Sequence, residues 1–153
     1  KLLEDRYKDD LRVVYKHFPL PGHSYAIHAA RASYAALEQG KFWEFHDAVY
    51  ERGARFSAED LELIAMRLGL DMDKFTDAMS SQRYDERIQK DMELGVALGV
   101  SGTPTFFVNG RPLDGARSEF EFRMLIAEEF ERVKELRAEG VPPEKLYDAL
   151  TTR

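Results

Sequence analysis

Gly99-Val100-Ser101-Gly102-Thr103-Pro104-Thr105-Phe106-Phe107-Val108-Asn109-Gly110 is the stretch on which the fold turns. A glycine-rich bend is followed by Pro104, placed directly before a short apolar run. Thr105-Phe106-Phe107-Val108 is aromatic and β-branched and reads as a strand. Asn109-Gly110 is the strongest short hairpin signal, because both residues tolerate positive φ. Arg111-Pro112-Leu113 then returns as a second strand. Pro112 lacks an N–H, so it belongs at a sheet edge or at a non-bonded position of the ladder. On these residues alone Pro104 is expected to be trans, since only about 5–6% of X-Pro bonds in folded proteins are cis.

Working outward, residues 11–17, Leu-Arg-Val-Val-Tyr-Lys-His, are β-branched and aromatic and end at a loop containing Pro19 and Pro21, so a strand is expected there. Residues 2–7 read as the last turns of a helix. Residues 24–38 are Ala-rich, with Ile27, Tyr34 and Leu37 at helical spacing, and a second helix is expected over 42–50 with Phe42, Phe45 and Val49 on one face. Ser57 with Asp60 forms a capping-box start for a helix carrying Leu61, Ile64 and Leu68. Asp71 caps a short helix with Phe75 and Met79, and a longer one is expected over 82–98 with Tyr84, Ile88 and Met92 in register. Beyond the hairpin, Ser118 and Glu121 form another capping box. The helix they open shows Phe122, Leu125, Ile126, Phe130 and Val133 and stops at Gly140. A last short helix starts at Pro142-Pro143. Three strands and about six helices make an α/β protein with a small sheet.

The chain has 153 residues, which sets the prior at one domain. Its net charge of −6 argues against a nucleic-acid partner, which needs a basic face. No apolar run of about 18 residues is present, so no membrane span is expected, and no signal peptide is visible. There is no cysteine, which excludes disulfides, a Cys nucleophile and thiolate metal sites within these residues. His17, His23, His28 and His46 lack the i,i+4 pairing of helical metal sites, and no metal is expected. Ser24, Ser57 and Ser118 read as caps, and no nucleophile elbow or phosphate-binding loop occurs. The chain begins with Lys1 and not Met, which raises the expectation that a segment preceded it.

Three blocks together carry a family resemblance. They are residues 13–22 (a strand, then His-Phe-Pro-Leu-Pro), residues 29–50 (an Ala-rich helix, then Gln-Gly-Lys-Phe-Trp-Glu-Phe-His-Asp) and residues 98–115. In this order they resemble the DsbA-like thiol–disulfide oxidoreductases of the thioredoxin superfamily, with a helical insertion at about residues 24–98. The resemblance covers residues 1–130 and leaves 131–153 as a C-terminal helical extension. It implies a cis bond at Thr103-Pro104 and a substrate-binding role for Thr103 and Pro104, whose backbone would pair with an extended peptide as an added strand. It implies an extended peptide or protein substrate, no cofactor beyond thiols, and a periplasmic or otherwise extracytoplasmic location.

The departure from the family matters as much as the match. Its redox centre is Cys-x-x-Cys at a helix N-terminus, where a low-pKa thiolate attacks a disulfide. No catalytic residue of that kind lies in this chain, and the motif and its strand would fall upstream of Leu2. The strand would sit between residues 11–17 and the 105–108 strand. Its loss would leave two buried rows of unpaired backbone groups at about 1–3 kcal/mol each, comparable in sum to a domain stability of about 5–15 kcal/mol. The expected remedies are upstream residues, strand donation by another chain, or a swapped homodimer. As it stands the chain is expected to be redox-inactive, and whether it is itself an enzyme stays open. Two alternatives accompany this reading: a redox-dead peptide- or protein-binding module, and a relative of kappa-type glutathione transferases or isomerases.

Overall fold

The computed structural model describes residues 2–53 and 56–152; Lys1, the expected point of truncation, lies outside them. Ten elements follow in order, with 3-10 turns at Lys8–Asp10 and Pro143–Lys145. They are α1 (Leu2–Tyr7), α2 (Ala26–Glu38), α3 (Phe42–Arg52), α4 (Ala58–Arg67), α5 (Met72–Ser80), α6 (Asp85–Ala97), β1 (Thr105–Val108), β2 (Arg111–Asp114), α7 (Glu119–Ala138) and α8 (Leu146–Thr151). No described helix is long and apolar enough to cross a membrane. The chain forms two compact units, residues 16–99 and residues 1–15 with 100–153.

The unit of residues 16–99 is a helical cluster around α2. Ala30, Ala32, Ala35 and Ala36 are buried along it, and these small side chains let α3, α4, α5 and α6 approach its backbone closely. Phe45, Leu61, Phe75 and Ile88 are its largest fully buried side chains. Removing such a side chain to Ala typically costs about 2–5 kcal/mol. The helix starts follow local chemistry. Ser57 Oγ accepts from the Asp60 N–H while Asp60 accepts from the Ser57 N–H, a complete capping box, and Asp71 accepts from the Lys74 N–H. Ser24 does not act as a cap: α2 starts after Tyr25 without a side-chain cap bond.

The other unit holds the hairpin. β1 and β2 pair antiparallel with Thr105 opposite Asp114, Phe106 opposite Leu113, Phe107 opposite Pro112 and Val108 opposite Arg111. Asn109 at φ 48° and Gly110 at φ 85° supply the two left-handed residues that a tight two-residue turn requires. The Gly115 N–H donates to the Pro104 carbonyl at 2.8 Å. Bonded and non-bonded pairs alternate in an antiparallel ladder, so 106/113 and 108/111 are bonded pairs and Phe107/Pro112 is non-bonded. Pro112 therefore sits where its missing N–H breaks no bond to β1. α7 opens with the Ser118–Glu121 capping box and packs on the hairpin, with the Phe106 and Phe122 rings edge to face at 4.9 Å. Residues 131–138 simply continue α7.

The strand expected over residues 11–17 does not form. Leu11 has extended backbone, φ −124° and ψ 124°, but none of residues 11–20 joins a ladder, and among the described residues the sheet is β1 and β2 alone. β-branched residues favour extended backbone, yet a strand exists only through a partner. Nor are the apolar residues at the centre of these two segments buried, as the loss of a bridging strand implied. Val13, Val14, Phe106 and Phe107 are all exposed by more than a third of their surface.

Candidate substrate-binding loop

Gly99, at φ 79°, is the last residue of the helical unit. Thr103 and Pro104 follow on the surface, just before β1. Their peptide bond is cis, against the trans form expected from the bare sequence. Two bonds pin the loop to the hairpin. Thr105 Oγ1 donates to the Gly102 carbonyl at 2.9 Å, and the Pro104 carbonyl accepts from the Gly115 N–H. Among the described residues no backbone–backbone bond uses the N–H or C=O of Thr103. The loop thus offers one exposed donor and one exposed acceptor, held on a short, tied segment. The chain has no cysteine to place a thiolate beside it, and no metal-binding cluster occurs among the described residues.

The helical unit holds a polar constellation that the sequence did not announce. Asp91, on the inner face of α6, is buried. Its Oδ1 accepts from Lys16 Nζ at 2.8 Å. Its Oδ2 accepts from the Tyr34 hydroxyl at 2.7 Å and from the His17 N–H at 3.1 Å. Burial acts to raise the Asp91 pKa, but the bonds from Lys16, Tyr34 and His17 together outweigh it and hold the carboxyl below its ordinary range. Burial, reinforced by the bond to Asp91, pushes the Tyr34 hydroxyl up to about 12. His17 packs its ring 4.7 Å from that of Tyr34, and burial lowers its pKa to about 4. Each donor here faces one carboxylate, so the cluster ties residues 16–17 to α2 and α6. Its sequence signal was one acid at an apolar helix position, one turn after Ile88.

A helical unit inserted in the sequence ahead of a cis Thr-Pro bond and an α-helix-backed hairpin is a thioredoxin-like order of elements. The chain belongs to the DSBA-like thioredoxin domain family, which matches residues 1–127. A thioredoxin-like oxidoreductase from Silicibacter pomeroyi DSS-3 is similar in structure, with TM-score 0.71 and 28% identity, over 82% of this chain and 72% of that one. Among curated proteins, a Na(+)/H(+) antiporter NhaA of Herminiimonas arsenicoxydans is 43% identical over 114 residues, 74% of this chain and 18% of that protein. Na(+)/H(+) antiporter NhaA 3 of Salinispora tropica is 45% identical over 102 residues, 66% and 16% of the two chains. The chain therefore spans less than a fifth of the length of these curated relatives.

Proposed function

We propose that the chain is the substrate-holding part of a DsbA-like thiol–disulfide oxidoreductase acting outside the cytoplasm, with Thr103 and Pro104 as the surface on which an extended polypeptide lies. The observation that carries this reading is the exposed, backbone-unbonded N–H and C=O of Thr103. A substrate strand would donate to one and accept from the other, as in β-strand addition, with little regard for side chains. Two such bonds contribute about 1–3 kcal/mol in all, well short of the roughly 8 kcal/mol of micromolar binding. The loop accordingly orients a substrate and does not capture it. Capture by disulfide exchange needs a thiolate, which these 153 residues do not contain.

The test is an NMR titration of the chain with a cysteine-free peptide of alternating Thr and Val at several millimolar. The largest amide shifts are expected at Thr103 and its neighbours. A spectrum in which Thr103 stays unmoved while other regions respond would refute the reading. In parallel, the chain should give no turnover in insulin reduction.

The lack of cysteine and the far longer antiporter-named relatives favour a second reading, a redox-dead peptide-binding module carried on a larger protein. Intact mass and thiol count of the protein isolated from its source cells separate the two. Two thiols support the oxidoreductase, and a long cysteine-free chain supports the module.

A further inference from the structure

We propose that residues 141–152 are a built-in brace on the hairpin turn, with Arg132 as the positioning residue that locks it. A closed circuit of contacts carries this. Arg111, the first residue after the turn, donates from Nη1 to Glu128 at 2.7 Å and to Glu129 at 3.3 Å. Glu129 is buried on α7 and accepts from Arg132 Nη1 through both oxygens, at 2.7 and 3.0 Å. The other terminal nitrogen of Arg132 donates to the Leu150 carbonyl at 3.2 Å. The Leu150 side chain is itself buried. Thr151, the next residue, returns to the turn: a Cβ on Gly110 would lie 3.3 Å from both its Cα and its Cγ2. Turn, α7 and α8 thus close on one another through Gly110, Arg111, Glu129, Arg132, Leu150 and Thr151.

A solvated linker would need neither a buried carboxylate shared by two arginines nor a main-chain carbonyl held by one of them. Glu128, Glu129, Arg132, Leu150 and Thr151 all lie beyond the stretch matched by the family, whereas Gly110 and Arg111 lie within it. The brace therefore joins residues outside the matched stretch to a turn inside it. It grips the hairpin at one end, and the other end is tied to the loop through the Gly115–Pro104 bond. Four β1 residues, about 13 Å of strand at ordinary rise, separate the two ends. Holding the turn therefore fixes the direction from which Thr103 is presented. That last step rests on reading Thr103 and Pro104 as the substrate-holding loop.

The test is residue-resolved amide hydrogen exchange on the full chain, comparing the unaltered protein with Arg132→Gln and with Thr151→Gly. Exchange at Val108, Arg111 and Gly115 is expected to quicken fivefold or more in both variants, with α2 amides within twofold of the unaltered protein. Faster exchange in α8 with no change at those three residues would overturn the brace. If Arg132→Gln loosens both units alike, Thr151→Gly decides by the same criterion, because it leaves the charged circuit intact. None of these rates needs a bound peptide, so a peptide that fails to bind the unaltered chain would sink the functional reading and leave the brace standing. A peptide that binds the unaltered chain and Arg132→Gln equally well would overturn the link from brace to loop.

Discussion

Lowering the pH from 7 to 5 is expected to weaken the unit of residues 16–99, because His17 takes up a proton on unfolding. Burial, the largest influence, takes this imidazole from 6.5 to about 4; Asp91 opposes that shift, while Arg87 and His46 add to it. The folded protein therefore refuses a proton that the unfolded chain accepts. A depressed histidine contributes stability that is full above the unfolded value and drains away as the pH falls toward the folded one. The shift of about 2.5 pH units corresponds to about 3 kcal/mol when complete and about 2 kcal/mol at pH 5. Trp43 is the sole tryptophan and lies in the same unit, so urea unfolding followed by its fluorescence reads the loss directly. His17→Gln removes the titration while keeping a polar side chain of similar size. The unaltered protein should lose about 2 kcal/mol between pH 7 and 5 and the variant less than half of that. Parallel pH profiles for the two proteins would show that His17 is not held neutral by its surroundings.

The same unfolding assay at neutral pH should show Asp91→Ala costing about 3–5 kcal/mol, because it strands buried donors. Lys16→Ala should cost under about 1 kcal/mol, since the Lys16 side chain is 55% exposed; equal costs for the two would contradict this ranking. Ser57→Ala and Ser118→Ala should each lower stability by about 1 kcal/mol through loss of a capping bond, read as a drop in melting temperature by circular dichroism. Gly110→Ala should cost about 1–3 kcal/mol from its left-handed backbone and additionally push against Thr151. A melting temperature lowered by that substitution to the same extent in the unaltered protein and in Thr151→Gly would mean the turn and α8 are not in contact.

Where the physics is local, the sequence was legible. The capping boxes at Ser57 and Ser118 and the Asn109-Gly110 turn are set by residues within four positions of one another, and each forms as expected. Pro112 fits for the same reason, since its place in the register follows from the length of the turn. The strand expected at residues 11–17 failed because a strand depends on a second segment that local composition does not specify. Thr103 and Pro104 stood out only through the three-block resemblance, and nothing in their own chemistry distinguishes a binding loop from a surface turn. Asp91 was missed because a lone acid on an apolar helix face gains meaning only when Lys16, His17 and Tyr34 converge on it from distant positions. The docking of α8 was equally hidden: Arg132 reads as one more basic residue on a charged helix until its reach to Leu150 is seen.

The two rims of the hairpin are chemically unequal. Residues of non-bonded pairs aim their main-chain groups away from the partner strand, so the outward positions on β2 fall to Pro112, which has no hydrogen to give, and to Asp114, whose acidic side chain guards the edge. On β1 the corresponding positions are Thr105 and Phe107, whose amides are intact, and Phe107 is 37% exposed. Self-assembly of this protein at high concentration should consequently be one-sided, templated along β1 and stopped at β2. A charge placed at Phe107 should suppress it, where one placed at Leu113 should not.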